Sequence, residues 1–252
     1  MLRTGLSKLL RSVTPDKIKI GSCISKTFLS ADMSPPIVIQ PKGPHKASVI
    51  FLHGLGDTGH GWSQVMGEDL NVDNVKFVCP TASTIPVTIN MGMRMPAWYD
   101  ITSLSEFDKE DKTGIMRSVA HVHQLIADEE KSVPSDKIFV GGFSQGGAVA
   151  LYAGLTYKKQ LGGIIGLSCY LPLNSEFPAS AAAQNSTTPV IMCHGKADVV
   201  VDFRFGQMSF QKIQQFHSKV EMKEYDNMGH TSCPRELMDV KSFLVKYLAA
   251  SS

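Results

Sequence analysis

From residue 47 onward the chain alternates between short apolar runs and longer stretches with helical spacing. Residues 47–53, 75–79, 137–141, 162–168, 189–194 and 220–225 read as strands, most of them apolar at consecutive positions. Such continuous patterning is expected of strands covered on both faces. Between them Ile115, Val119, Val122 and Ile126 recur at i, i+4, i+7 and i+11, and Leu237, Val240, Leu244 and Leu248 follow the same helical period. Alternating strands and helices predict an α/β fold with a mostly parallel, doubly wound sheet and helices on both faces. No stretch approaches the roughly 20 apolar residues that a membrane-spanning helix needs.

Two regions break this alternation. Residues 83–106 hold Pro86, Pro96, Met91, Met93, Met95, Trp98 and Tyr99 without a helix or strand period. A long apolar loop of this kind serves as a lid or binding loop, or packs onto the sheet as core. The other region is the leader. Its residues Leu2, Leu6, Leu9, Leu10 and Val13 form a helical stripe with Arg3, Lys8 and Arg11 outside it. That pattern fits a disordered tail, a mitochondrial transit peptide or a helix on an anionic membrane surface. Prolines at 35, 36, 41 and 44 then mark a boundary, giving a basic leader over 1–35 and a catalytic domain over 36–250.

Charge sharpens the division. Residues 1–32 carry six Lys/Arg against Asp16 and Asp32, whereas the remainder carries 19 Lys/Arg against 21 Asp/Glu. A slightly acidic body offers no footprint for nucleic acid. Five dispersed cysteines without a C-x-x-C pair point to reduced thiols in the cytoplasm, with mitochondria the alternative if the leader is a transit peptide. They suggest neither a disulfide framework nor a metal site.

The chemistry centres on Gly142-Phe143-Ser144-Gln145-Gly146, which lies between a strand-like run and the small-residue stretch that follows. Strand, tight turn and helix with serine at the apex form a nucleophile elbow. A serine hydroxyl needs a base within reach and a third group to orient that base. In such folds the acid and then the histidine follow the serine, at the carboxyl ends of later strands. Asp198 follows the run ending at His194 and is favoured over Asp202, which suits a helix N-cap. His230 follows the last strand in a turn-rich loop and is the expected base. His217, at the tail of a helical stretch, is expected to be solvated or to face the helix terminus. His53 and His194 are expected to orient backbone, and Asp226 lies too close to His230 in sequence to serve it. The glycines of His53-Gly54-Leu55-Gly56-Asp57 let a backbone amide face a developing oxyanion, with Leu55 N–H joining that of Gln145.

These segments resemble the acyl-protein thioesterase / lysophospholipase family of α/β-hydrolases. The resemblance runs through Phe51-Leu52-His53-Gly54-Leu55-Gly56-Asp57-Thr58-Gly59-His60-Gly61-Trp62, Gly141–Ala148, Leu167-Ser168-Cys169, the His194-Gly195 turn and His230 before Ser232-Cys233, from about residue 36 to 248. It implies an α/β-hydrolase fold without a large cap, Ser144, His230 and Asp198 as nucleophile, base and acid, and no cofactor. Implied substrates are S-palmitoylated proteins, lysophospholipids and small esters, with transient membrane contact. It also implies an acyl tunnel lined by residues 90–98, including Met93 and Trp98, and by Tyr170, Val200 and Phe205. Departures from the family pattern are Val199 and Asp202 where prolines are usual, and Tyr170 in place of tryptophan. Met33-Ser34-Pro35 resembles a family start, and Cys23 is a weak substitute for the lipid-bearing cysteine some members carry at position 2. Two rival readings remain at this point: a carboxylesterase of short soluble esters, and a lipid-carrying module without turnover.

Overall fold

The computed structural model describes residues 34–103 and 109–250; the readings of the leader, Cys23 and Met33 lie outside them. Seven strands form the central sheet: β1 (Ile37–Ile39), β2 (Ala47–Leu52), β3 (Val75–Cys79), β6 (Ile138–Phe143), β7 (Gly163–Leu167), β8 (Val190–Gly195) and β9 (Val220–Tyr225). Their spatial order is β1-β3-β2-β6-β7-β8-β9. All pairings are parallel except that of β1, which runs antiparallel to β3 with Ile37 opposite Cys79. The predicted parallel sheet therefore forms, with boundaries within two residues of those read from the apolar runs.

Both faces of the sheet are covered. Along β2, Val49 and Phe51 point into one core cluster and Ile50 and Leu52 into the other. The first cluster receives Trp62 and Met66 from α1 (Gly59–Glu68) and Val240, Phe243 and Leu244 from α5 (Pro234–Ala250). The second receives Ile115, Val119, Val122 and Ile126 from α2 (Lys112–Glu129), six residues of α3 (Gln145–Thr156) from Val149 to Leu155, and Ile213 from α4 (Phe203–Gln214). The period-3.6 residues of α2 are thus its buried stripe. Asp111 caps this helix by accepting from Gly114 N at 2.9 Å.

The segment 83–106 holds more regular structure than its sequence suggests. Strands β4 (Thr84–Val87) and β5 (Met93–Pro96) pair antiparallel as a separate hairpin, with Met91 and Gly92 at positive φ in the connection. His217 also departs from expectation. It is buried, its Nε2 lies 2.7 Å from Asn185 O, and burial lowers its pKa.

One buried group works against stability. Glu236 lies in the first turn of α5, fully buried, and neither carboxyl oxygen has a hydrogen-bond partner among the described residues. Burial, reinforced by Asp239, raises its pKa from 4.5 to about 8. The folded state then holds a proton that the unfolded chain releases above its ordinary pKa, so stability falls as pH rises from about 4.5 to about 8. The slope is at most about 1.4 kcal/mol per pH unit. Urea unfolding at pH 5, 6, 7 and 8 should show Glu236→Gln gaining on the wild type with each step. Parallel pH curves for the two proteins would refute the assignment.

Candidate active site

The elbow is built by two missing side chains. A Cβ on Gly146 would overlap the carbonyls of Leu52 and His53, and one on Gly142 would overlap the backbone of Gly146. Helix α3 can therefore start directly against β2 and β6. Ser144, between β6 and α3, is driven to φ 54°, ψ −122°, a conformation costing a side-chain-bearing residue about 1–3 kcal/mol. Its own N–H donates to Leu167 O at 2.8 Å, and its carbonyl accepts from Ala148 N at 3.0 Å. The strained turn is thus held at both ends.

The structure brings Ser144, His230 and Asp198 into one hydrogen-bonded row. His230 Nε2 lies 2.9 Å from Ser144 Oγ, and His230 Nδ1 lies 2.7 Å from Asp198 Oδ2. Because the carboxylate only accepts, Nδ1 carries the proton and Nε2 is left to accept from the hydroxyl. Asp198 Oδ1 takes the N–H groups of Val200 and Val201, both at 2.9 Å. His194 Nε2 donates to Val201 O at 2.8 Å and sits 3.4 Å from Asp198 Oδ2. Burial alone would raise the Asp198 pKa. Hydrogen bonds from His194, His230 and the Val200 amide outweigh it and hold the carboxyl well below its ordinary range. The ionised form of Asp198 is therefore favoured.

Aromatic rings support the imidazole from the side. Phe143, directly before the serine, has its ring 4.8 Å from that of His230 and tilted 41° to it; Trp62 lies 5.5 Å from Phe143, and Phe51 4.6 Å from Trp62. The competing acids are elsewhere. Asp202 caps α4 through Arg204 N and pairs with the Arg204 guanidinium, and Asp226 pairs with Lys196 at 2.8 Å.

Beside the hydroxyl, the N–H groups of Leu55 and Gln145 have no protein acceptor among the described residues. Both residues line a cavity of about 500 Å³ that also contains Ser144 and His230. A row of alcohol, imidazole and carboxylate next to two bare amides can deprotonate a nucleophile and stabilise an oxyanion in the same small volume.

A family profile described as phospholipase/carboxylesterase matches residues 33–248. The chain belongs to the phospholipase/carboxylesterase family. Among its relatives, acyl-protein thioesterase 1 of Neurospora crassa is 42% identical over 225 residues, covering 85% of this chain and 92% of that protein. Acyl-protein thioesterase 1 of Schizosaccharomyces pombe is 48% identical over 166 residues, covering 66% and 74%. The crystal structure of Zea mays acyl-protein thioesterase 2 superposes with a TM-score of 0.77 at 36% identity, covering 84% of this chain and 98% of that one. The fold is accordingly that of an α/β-hydrolase, with no large cap among the described residues.

The cavity of this family member is walled differently from the tunnel implied by resemblance. Asn90 of the 90–98 segment, Tyr170 and Val200 are among its walls, whereas Met93, Trp98 and Phe205 are not. Met93 is an exposed residue of β5, and Trp98 is buried beneath the site. The walls that sequence reasoning missed are Trp62, Ile89, Tyr99 and Ile101. Tyr99 and Tyr170 meet through their hydroxyls at 3.0 Å, and burial pushes both pKa values up, so the pair stays neutral.

Trp98 has structural work instead. Its N–H donates to Gln145 Oε1 at 2.9 Å, its indole Nε1 to His53 O at 2.8 Å, and its carbonyl accepts from Ser118 Oγ. Gln145 Nε2 completes the pairing at Tyr99 O, 2.7 Å away. Gln145→Leu would leave a buried N–H and a buried C=O without partners, at about 1–3 kcal/mol each. Denaturant midpoints should therefore move down by the equivalent of about 2–6 kcal/mol; an unchanged midpoint would mean that this clamp carries no stability.

Proposed function

We infer that this protein is a serine hydrolase that removes long-chain acyl groups from protein cysteines. The supporting observation is the Ser144–His230–Asp198 row at the mouth of a largely apolar cavity, in a chain about 42% identical to proteins named acyl-protein thioesterase over most of its length. In this reading His230 Nε2 takes the proton as Ser144 Oγ bonds to the thioester carbonyl carbon. The amides of Leu55 and Gln145 hold the resulting oxyanion. Collapse breaks the C–S bond, and the imidazolium returns the proton to the departing thiolate. A water then repeats the sequence on the acyl-serine and releases the fatty acid. Asp198 keeps the base oriented and stabilises its charged form throughout.

The same machinery would cleave lysophospholipid esters as a side activity, since an oxygen ester meets the same nucleophile. Transient contact with a membrane surface fits the apolar rim: Met91 at the hairpin tip and Val199 beside the acid are each 92% exposed. Among the described residues no helix is long and apolar enough to cross a membrane. The free thiols of Cys79, Cys169, Cys193 and Cys233 suit a reducing compartment, and we place the enzyme in the cytoplasm.

A fluorophosphonate probe should label the protein at Ser144, and Ser144→Ala should abolish the adduct. Asp198→Asn should lower kcat by about 10³–10⁴-fold, through loss of the tautomer that leaves Nε2 free. Labelling that survives Ser144→Ala would end the serine-hydrolase reading.

Acyl preference separates the thioesterase from a short-ester carboxylesterase. A series of acyl thioesters from C2 to C16 should rise in kcat/KM towards the long chains and include a palmitoylated peptide. Hydrolysis confined to the short members would select the carboxylesterase, and binding of palmitoyl peptide without turnover would select a carrier.

A further inference from the structure

His53, at the end of β2, lies beneath the amide of Leu55 and is fully buried. Its Nε2 lies 3.0 Å from Ala82 N. A backbone N–H can only donate, so Nε2 is unprotonated and accepts. The ring proton is therefore on Nδ1, which donates to Gly54 O at 2.6 Å. Burial lowers the ring's pKa against the opposing pull of the Gly54 carbonyl, which keeps the imidazole neutral in this one tautomer.

Peptide planarity gives that bond a second effect. The C=O of Gly54 and the N–H of Leu55 belong to a single peptide plane, in which they point in opposite directions. Clamping the oxygen therefore clamps the N–H. Gly54 O also accepts from Asp57 N at 3.2 Å, closing a turn in which Gly56 has φ 77°, a value that glycine adopts without strain. On either side the loop is tied to the neighbouring segment: His53 O accepts from Trp98 Nε1 at 2.8 Å, and Gly56 N donates to Pro96 O at 2.9 Å. Were the 54–55 peptide to turn over, a carbonyl oxygen would replace the N–H and repel the negative charge forming on the substrate.

We propose that His53 is a positioning residue for the oxyanion hole: its Nδ1–H locks the Gly54–Leu55 peptide so that the Leu55 N–H meets the oxyanion, and the Ala82 amide selects the tautomer that makes this bond. The proposal rests on the serine-hydrolase reading above. His53 itself touches no substrate. Its contribution passes through a backbone plane, so it should appear in the chemical step and not in substrate binding.

Two amide substitutions divide the ring's functions. His53→Asn can place an N–H where Nδ1 stands and keep the bond to Gly54 O. His53→Gln can place an acceptor near Nε2 and keep the bond from Ala82 N while losing the one to Gly54. With a long-chain acyl thioester and a p-nitrophenyl ester as substrates, His53→Asn should stay within about tenfold of wild-type kcat. His53→Gln should fall by about 10²–10³ in kcat, the usual cost of one oxyanion donor, with KM changed less than threefold. Wild-type kcat in His53→Gln would overturn the proposal. So would an equal fall in both variants that tracks their melting temperatures. Should His53→Asn not fold, the split between kcat and KM in His53→Gln decides alone. A wild-type protein that hydrolyses neither substrate and takes no fluorophosphonate would overturn the hydrolase reading and this proposal together; turnover by the wild type with wild-type kcat in His53→Gln would overturn the proposal alone.

Discussion

Everything at the site depends on one crowded crossing, where the turn from β6 into α3 presses against the end of β2. No Cβ fits at Gly146 because the carbonyls of Leu52 and His53 occupy its place. That closeness has two consequences with one cause. It holds Ser144 in a strained, positive-φ backbone conformation that lifts the hydroxyl clear of the sheet. It also brings the first amide of α3, which has no acceptor inside its own helix, beside the loop that carries Leu55. A serine hydroxyl and two bare N–H groups are thus set by backbone geometry, before any side chain is chosen for its chemistry. Strain of about 1–3 kcal/mol at one residue is small beside what a parallel sheet buried on both faces supplies.

The carboxylate and the imidazole of the row are held in two ways. Asp198 and His230 stand on the loops after β8 and β9, which meet closely: a Cβ on Gly195 would overlap the Met228 carbonyl, and Ala197 N donates to Met228 O at 3.1 Å. Hydrogen bonds then orient the side chains. Asp198 is approached by the amides of Val200 and Val201 and by two imidazoles, so both its oxygens are engaged and its ionised form is favoured. His230 is then oriented by that carboxylate on one edge and by the Phe143 ring against its side. Close backbone crossings thus set where all three groups stand, and hydrogen bonds to the carboxylate and imidazole set how two of them point.

This division explains what could be read from the sequence. Continuous apolar runs report burial on both faces, so six strands of the sheet were legible, together with the elbow and the residues now found in one row. Strand β1 has three residues, too few to establish a period. The β4–β5 hairpin was hidden because Pro86 and Pro96 sit inside it, and its connection is marked only by Gly92. Whether Trp98 or its neighbour Tyr99 faces the cavity depends on how the chain leaves the hairpin, and local pattern carries no such information. His217 is buried by the distant Asn185 segment, a long-range contact that its helical surroundings do not announce. The pairing of the Gln145 side-chain amide with Trp98 N and Tyr99 O likewise has no local signature.

The walls of the cavity show where substrate preference can vary without disturbing the chemistry. The hairpin is anchored at its base, where Ala97 N donates to Ser83 O at 3.1 Å and Gly56 N to Pro96 O, and within its connection, where Ile89 N donates to Ile101 O at 2.8 Å. Thr88 adds two bonds to Asp100, at 2.7 and 2.6 Å. Its tip, by contrast, presents Met91 to solvent. Changes at the tip can therefore alter what approaches the rim while the base keeps Trp98, and through it the His53 carbonyl, in place. On the opposite wall the hydroxyl of Tyr170 is answered by that of Tyr99, so a polar atom in an apolar wall leaves no unmet demand for a partner. On the proposed reading, an acyl chain beside this pair would meet mostly aromatic carbon.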